Sequence, residues 1–202
     1  QPPVAAPEMA EPRAILGART EVIVSPASGG EVTMVLDGAT LSDLVLAYPF
    51  GQAFGSGITT AVGELSGDGT DDVVVAMGPG GGLVRVFDGA ALTELGRGYP
   101  FGADYAGGVS VALGDLNGDG RSDIIVGQAS GGGLVRVFSG IDYAPLLSRT
   151  PFGATYQGGV NVAAGDVDGD GRVELVVAQA RDGAVSVISG ATQTTIVTAS
   201  PY

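Results

Sequence analysis

Cysteine and histidine are both missing from the 202 residues, and so are tryptophan and lysine. With neither thiol nor imidazole, the chain can have no disulfide, no histidine proton relay, no zinc site of the usual kind, and no nucleophile of either type. The compartment stays open, because a secreted protein can do without disulfides where its core or a bound metal suffices. Positive charge is scarce as well: nine arginines face 22 acidic residues, for a formal charge of -13. That balance repels nucleic acid and anionic lipid. Long apolar runs are lacking, since the uncharged stretches 44–63 and 183–202 are broken by Gly, Pro, Ser and Thr, so no membrane insertion is expected. Residues 1–12, QPPVAAPEMAEP, have neither a basic nor an apolar segment; they read as a Pro/Ala-rich lead-in rather than an intact signal peptide.

Glycine is abundant, at 36 residues, alongside much Val, Leu, Ile and Thr. This composition predicts an all-β fold of short strands and tight turns. The strongest regularity is a repeat. YPFG at 48–51, YPFG at 99–102 and TPFG at 150–153 stand 51 residues apart, and Glu64, Asp115 and Asp166 each follow the Phe of that motif by 14. Gly38, Gly89, Gly140 and Gly190 recur at steps of 51, 51 and 50.

Each period accommodates four strands. In the best-formed one, Val109, Val111 and Leu113 alternate with Ser110 and Ala112, as an inner strand requires. Ile124-Ile125-Val126 is a continuous apolar run, suited to a strand covered on both faces. Leu134 to Phe138 and the more polar Leu146 to Thr150 complete the set. A lone four-stranded sheet cannot bury both faces, so successive sheets must stack, and radial stacking gives a β-propeller of four-stranded antiparallel blades. The expected units are approximately 13–50, 51–101, 102–152 and 153–202, closed as a four-bladed ring or forming part of a larger propeller. The first is degenerate: Arg13, Ile15, Gly17 and Glu21 fall where the acidic loop would be, and Arg13 to Gly17 could form a shortened inner strand.

Ten of the 22 acids occupy ligand-type positions in three aligned loops. These read Glu64-x-Ser66-x-Asp68-Gly69-Thr70-x-Asp72, Asp115-x-Asn117-x-Asp119-Gly120-Arg121-x-Asp123 and Asp166-x-Asp168-x-Asp170-Gly171-Arg172-x-Glu174. Side-chain oxygens at positions 1, 3, 5 and 9, with the backbone carbonyl of Thr70, Arg121 or Arg172 at position 7, wrap hard donors around one point. That is a calcium shell rather than the tighter octahedron of magnesium. Glycine at position 6 permits the sharp turn. No glutamate stands at position 12, where the middle loop has Val126, and strands flank the loop, so it is not an EF-hand. Asn-Gly and Asp-Gly also favour hairpins without metal. Against that stands the threefold recurrence in one register, and the mutual repulsion of the clustered carboxylates, which nearby Arg121 and Arg172 offset only in part. The first loop is the poorest, with Glu64 and Ser66 as weaker substitutes.

Three other features invite functional readings. The glycine runs at 78–82 and 131–133 lack a P-loop lysine and a following helix, so they read as hairpin turns. Arg85 and Arg136 stand at equivalent strand positions, where anion binding is conceivable but pairing with a carboxylate of the same unit is the expected use. Tyr105 and Tyr156, equivalent to Phe54, suit packing between units better than a sugar platform.

Phe101-Gly102, Gly107-Gly108 and the 115–123 loop, then Phe152-Gly153, Gly158-Gly159 and the 166–174 loop, resemble the FG-GAP repeat of integrin α-subunit propellers and the related VCBS-type repeats of bacterial surface and secreted proteins. Phe50-Gly51, Ser56-Gly57 and the 64–72 loop follow the same order more loosely. The resemblance implies calcium ions that brace the blades, with partners meeting another face. The resulting expectation is a non-enzymatic, calcium-binding extracellular, cell-surface or periplasmic module for binding or adhesion, with a protein or glycan partner. The alternatives are a building block of a surface layer, appendage or particle, which would self-associate, and a carbohydrate-active enzyme or lectin.

Overall fold

A computed structural model describes residues 21–24, 33–37, 43–51 and 53–200, with side chains from residue 48 onward. The lead-in at 1–12, the short strand expected over 13–17 and Gly38 lie outside the described residues.

The described chain is all-β, and its strands form antiparallel meanders in chain order. The first sheet has three strands, β1 (Glu21–Val24), β2 (Thr33–Asp37) and β3 (Asp43–Ala47). Three four-stranded sheets follow: β4 (Ile58–Gly63), β5 (Asp72–Met77), β6 (Val84–Phe87) and β7 (Glu94–Gly98); β8 (Val109–Gly114), β9 (Asp123–Gln128), β10 (Val135–Phe138) and β11 (Pro145–Arg149); β12 (Val160–Gly165), β13 (Glu174–Gln179), β14 (Val185–Ser189) and β15 (Thr195–Ala199). All four sheets share one irregularity, a register shift between their last two strands, at Val35/Leu36, Val86/Phe87, Val137/Phe138 and Val187/Ile188. The common bulge identifies β1, β2 and β3 as the second, third and fourth strands of the same unit.

The alternation read in the sequence decides which sheet meets which. Ile124 and Val126 join Val109 and Val111 in packing against Val74, Ala76, Val84 and Val86 of the preceding sheet. Ile125 points the other way and packs with Val135 and Val137 on Val160, Leu175, Val177 and Ile188 of the next. The apolar run of β9 is therefore buried on both faces, each side chain contributing about 1.5–3 kcal/mol.

Polar groups fasten the same interfaces. Thr59 Oγ1 donates to the carbonyl of Val109 at 2.7 Å, and the amide of Val162 donates to Ser110 Oγ at 3.1 Å. The Gly107-Gly108 and Gly158-Gly159 elements permit a further link. The amide of Gly108 donates to Gly81 O and that of Gly159 to Gly132 O, both at 3.0 Å. A Cβ at Gly108 would meet the Gly78-Pro79 backbone at under 3.0 Å, and one at Gly159 would strike Ala129. Phe101 meets Tyr105 edge-on at 5.2 Å and Phe152 meets Tyr156 at 5.7 Å. Both tyrosines pack against the cores between sheets, in line with the packing role read from the sequence.

Candidate metal centre

Each acidic loop bridges the first two strands of its sheet, and its two ends face each other across one ladder rung. Gly63 pairs with Asp72, Gly114 with Asp123 and Gly165 with Glu174. Position 9 is thus the first residue of the second strand, and the loop must fold back within eight residues.

The position-1 carboxylate drives that turn by gathering amides. Asp115 accepts from Gly118 at 2.7 Å and Gly120 at 2.8 Å, Asp166 from Gly169 at 2.7 Å and Gly171 at 3.0 Å, and Glu64 from Gly67 and Gly69. All six glycines have φ between 78° and 89°, a region costly for other residues. Sequence reasoning identified the glycine at position 6 and missed the one at position 4, although Gly67, Gly118 and Gly169 recur in register. The position-5 carboxylate caps the next turn: Asp68 accepts from the amide of Thr70 at 2.7 Å, Asp119 from Arg121 and Asp170 from Arg172, both at 2.9 Å.

The position-9 acid has a second task that the sequence did not reveal. Asp72, Asp123 and Glu174 are buried, at 0%, 0% and 1% exposure. One oxygen of Asp72 accepts from Leu65 and Ser66, and the other from Gly89 at the end of the third strand. Asp123 repeats this with Leu116, Asn117 and Gly140. The longer Glu174 accepts from Val167 at 2.9 Å. Burial pushes the Asp123 carboxyl above the usual aspartate range, bonds from Leu116, Gly140 and Asn117 pull it down, and Asp119 adds to the rise. A nearby cation would favour the charged form.

In the third loop, carboxylate oxygens of Asp166, Asp168 and Glu174 all lie within 4.8 Å of one another. In the second, the Asn117 amide nitrogen reaches Asp119 at 2.8 Å and Asp123 at 3.5 Å, so a hydrogen-bond donor bridges positions 5 and 9. In the first, Ser66 Oγ at position 3 is buried without a hydrogen-bond partner, an unsatisfied state that a bound cation would relieve. The donor set is oxygen only, with no nitrogen or sulfur side chain of the kind zinc prefers, and it fits a hard cation such as calcium. Residues at positions 1, 3, 5 and 9, with the carbonyls of Thr70, Arg121 and Arg172, would hold it.

The loops are also linked to neighbouring sheets. Arg121 Nη1 donates to Leu65 O at 2.9 Å, and its guanidinium occupies the space a side chain at Gly67 would need. Leu65 and Leu116, at position 2, are 2% and 8% exposed and join the core shared with the next sheet, whereas the corresponding Val167 is 56% exposed. Arg85 pairs with Glu94, as expected, and also donates to Pro49 O. Among the described residues Arg136 keeps only the carbonyl contact, donating to Pro100 O at 2.8 Å. No carboxylate lies within ion-pair distance of it among the described residues, because Pro145 stands where Glu94 stands in the preceding sheet. The expected carboxylate pairing therefore fails for Arg136. The glycines at 78–82 and 131–133 lie in the turns leading to β6 and β10, as read.

Stacked four-stranded meanders, each with an oxygen-rich loop between its first two strands, define a β-sheet repeat protein. The chain carries an FG-GAP-like repeat: residues 65–126 match that family. It is 30% identical over 160 residues to integrin alpha-5 of Xenopus laevis, a match spanning 66% of this chain and 15% of that one. Among solved structures it is similar to the V. cholerae biofilm matrix protein Bap1, at 18% identity and a TM-score of 0.44, over 90% of this chain and 36% of that one. No helix among the described residues is long and apolar enough to cross a membrane.

Proposed function

We propose that the chain is a calcium-stabilised β-propeller or propeller segment that serves as an extracellular, non-enzymatic binding or adhesion module. The observation that carries this reading is the loop itself. Three times in one register, the chain sets four side-chain oxygens at positions 1, 3, 5 and 9, and in the third loop three carboxylates draw within 4.8 Å. The calcium is structural, because each loop sits between the two inner strands and the first two insert a leucine into the next sheet's core. The similarity to an integrin α chain supports an adhesion role.

A second reading, a building block of a larger surface assembly, is favoured by the exposure of Val167 at the position that Leu65 and Leu116 use to hold a following sheet. Calcium titration of the metal-free chain, followed by calorimetry and thermal melting, tests the first reading. Each site bound only in the folded state contributes about 2.7 kcal/mol at a free concentration of about 100 times Kd. An unchanged melt in chelator at matched ionic strength overturns it, and concentration-dependent assembly without added ligand favours the second.

A further inference from the structure

Strands β6 and β7 of the first four-stranded sheet and β9 and β10 of the second leave a cleft of about 300 Å³ between them, within the size range of small-molecule sites. Val84 and Val86 of β6 and Ile124 and Val126 of β9, which pack together in the shared core, form its apolar floor. The opening exists because β7 carries Gly96 and Gly98. At the matching places, 51 residues on, β11 carries Leu147 and Arg149. Leu147 packs into the core between the second and third sheets, and Arg149 Nη2 donates to Gln193 O at 2.8 Å. The same repeat thus fills this space at one interface and leaves it open at the other.

The open cleft holds a guanidinium in an unusual state. Arg136 is half-buried against the apolar floor, with one amino group on Pro100 O and no carboxylate partner among the described residues. Its counterpart Arg85 spends Nε and Nη2 on Glu94. On Arg136 the same two donors, the fork that matches a carboxylate, have no acceptor among the described residues. The Tyr143 ring lies over Gly96, where an added Cβ would come within 3.2 Å of it.

We propose that this cleft binds a small carboxylate bearing an apolar group, with the carboxylate on the Arg136 fork and the apolar part on the floor made by β6 and β9. A monoanion suits the site, since the chain's formal charge of -13 disfavours multiply charged ligands. The test is a heteronuclear NMR titration of the full chain in calcium-containing buffer with 3-phenylpropanoate, and in parallel with 3-phenylpropanamide. Shifts mapping to residues 96–100 and 136–143 for the carboxylate, and at least about tenfold weaker binding of the amide, are expected. Arg136→Gln weakens carboxylate binding by a similar factor. Gly98→Leu, at a position where an added Cβ meets nothing within 4 Å, abolishes it while leaving the melting temperature near that of the parent. Absence of saturable shifts, equal binding of acid and amide, or undiminished binding to the folded Gly98→Leu variant overturns the proposal.

Discussion

The amide of Ser122 donates to the carbonyl of Glu64 at 2.8 Å. The end of one acidic loop is thereby bonded to the start of the loop before it, 58 positions away in the chain by subtraction of their numbers. Arg121 reinforces this contact through Leu65 O. Arg121→Ala should therefore lower unfolding stability by about 1 kcal/mol, the worth of one partly exposed hydrogen bond from a charged group. Urea denaturation measures it, and no loss would mean that the backbone bond alone holds the two loops.

Within a loop, the acids differ in what they hold without metal. Asp123→Ala leaves three amides without their acceptor and should cost about 2–4 kcal/mol even in chelator. Asp119→Asn keeps an acceptor for the Arg121 amide and gives up only the exposed bond from the Asn117 side chain, so in chelator it should cost less than about 1 kcal/mol. In saturating calcium the same variant should lose much of the metal-dependent stabilisation. Melts of both variants with and without calcium separate the two roles; equal costs in chelator would contradict the division.

Leu65 and Val167 occupy the same loop position with opposite burial. Leu65→Ala should cost about 2–5 kcal/mol, as core truncations do. Val167→Ala should stay within about 0.5 kcal/mol. A large cost at Val167 in the isolated chain would show that this position is covered in solution.

The hydrogen bond from Arg85 holds the Glu94 carboxyl below the usual glutamate range. A lowered folded-state value means that the unfolded chain binds the proton first on acidification. The contribution is therefore complete above about pH 4.3 and is lost as pH falls through the folded value. The melting-temperature gap between the parent and Glu94→Gln should be positive near neutrality and vanish at the acid end. It should also shrink with salt, since the pair is at the surface.

The residue pattern made much of this legible. The alternation of Val109, Val111 and Leu113, the uninterrupted Ile124 to Val126, and the loop register all depend on local geometry, where side-chain period and turn chemistry act within ten residues or so. The same patterns could not show that Asp72 and Asp123 are buried anchors, because Gly89 and Gly140, each 17 residues further on, meet them only after the third strand has folded back. Nor could they show that Arg85 finds Glu94 while Arg136, in an identical VRVF strand, does not; the partner is set by the facing strand.

By itself, then, the sequence determined the all-β class, the 51-residue unit, the inward and outward faces of each strand and the oxygen-rich loops. Tertiary structure alone decided which sheet each apolar face meets, which carboxylates are sealed from water, and that Gly96 and Gly98 leave open a cleft that Leu147 and Arg149 fill. The physical reason is one of range. Periodicity and turns follow from neighbouring residues, whereas burial, pairing and empty space depend on what the chain brings across from a full repeat away.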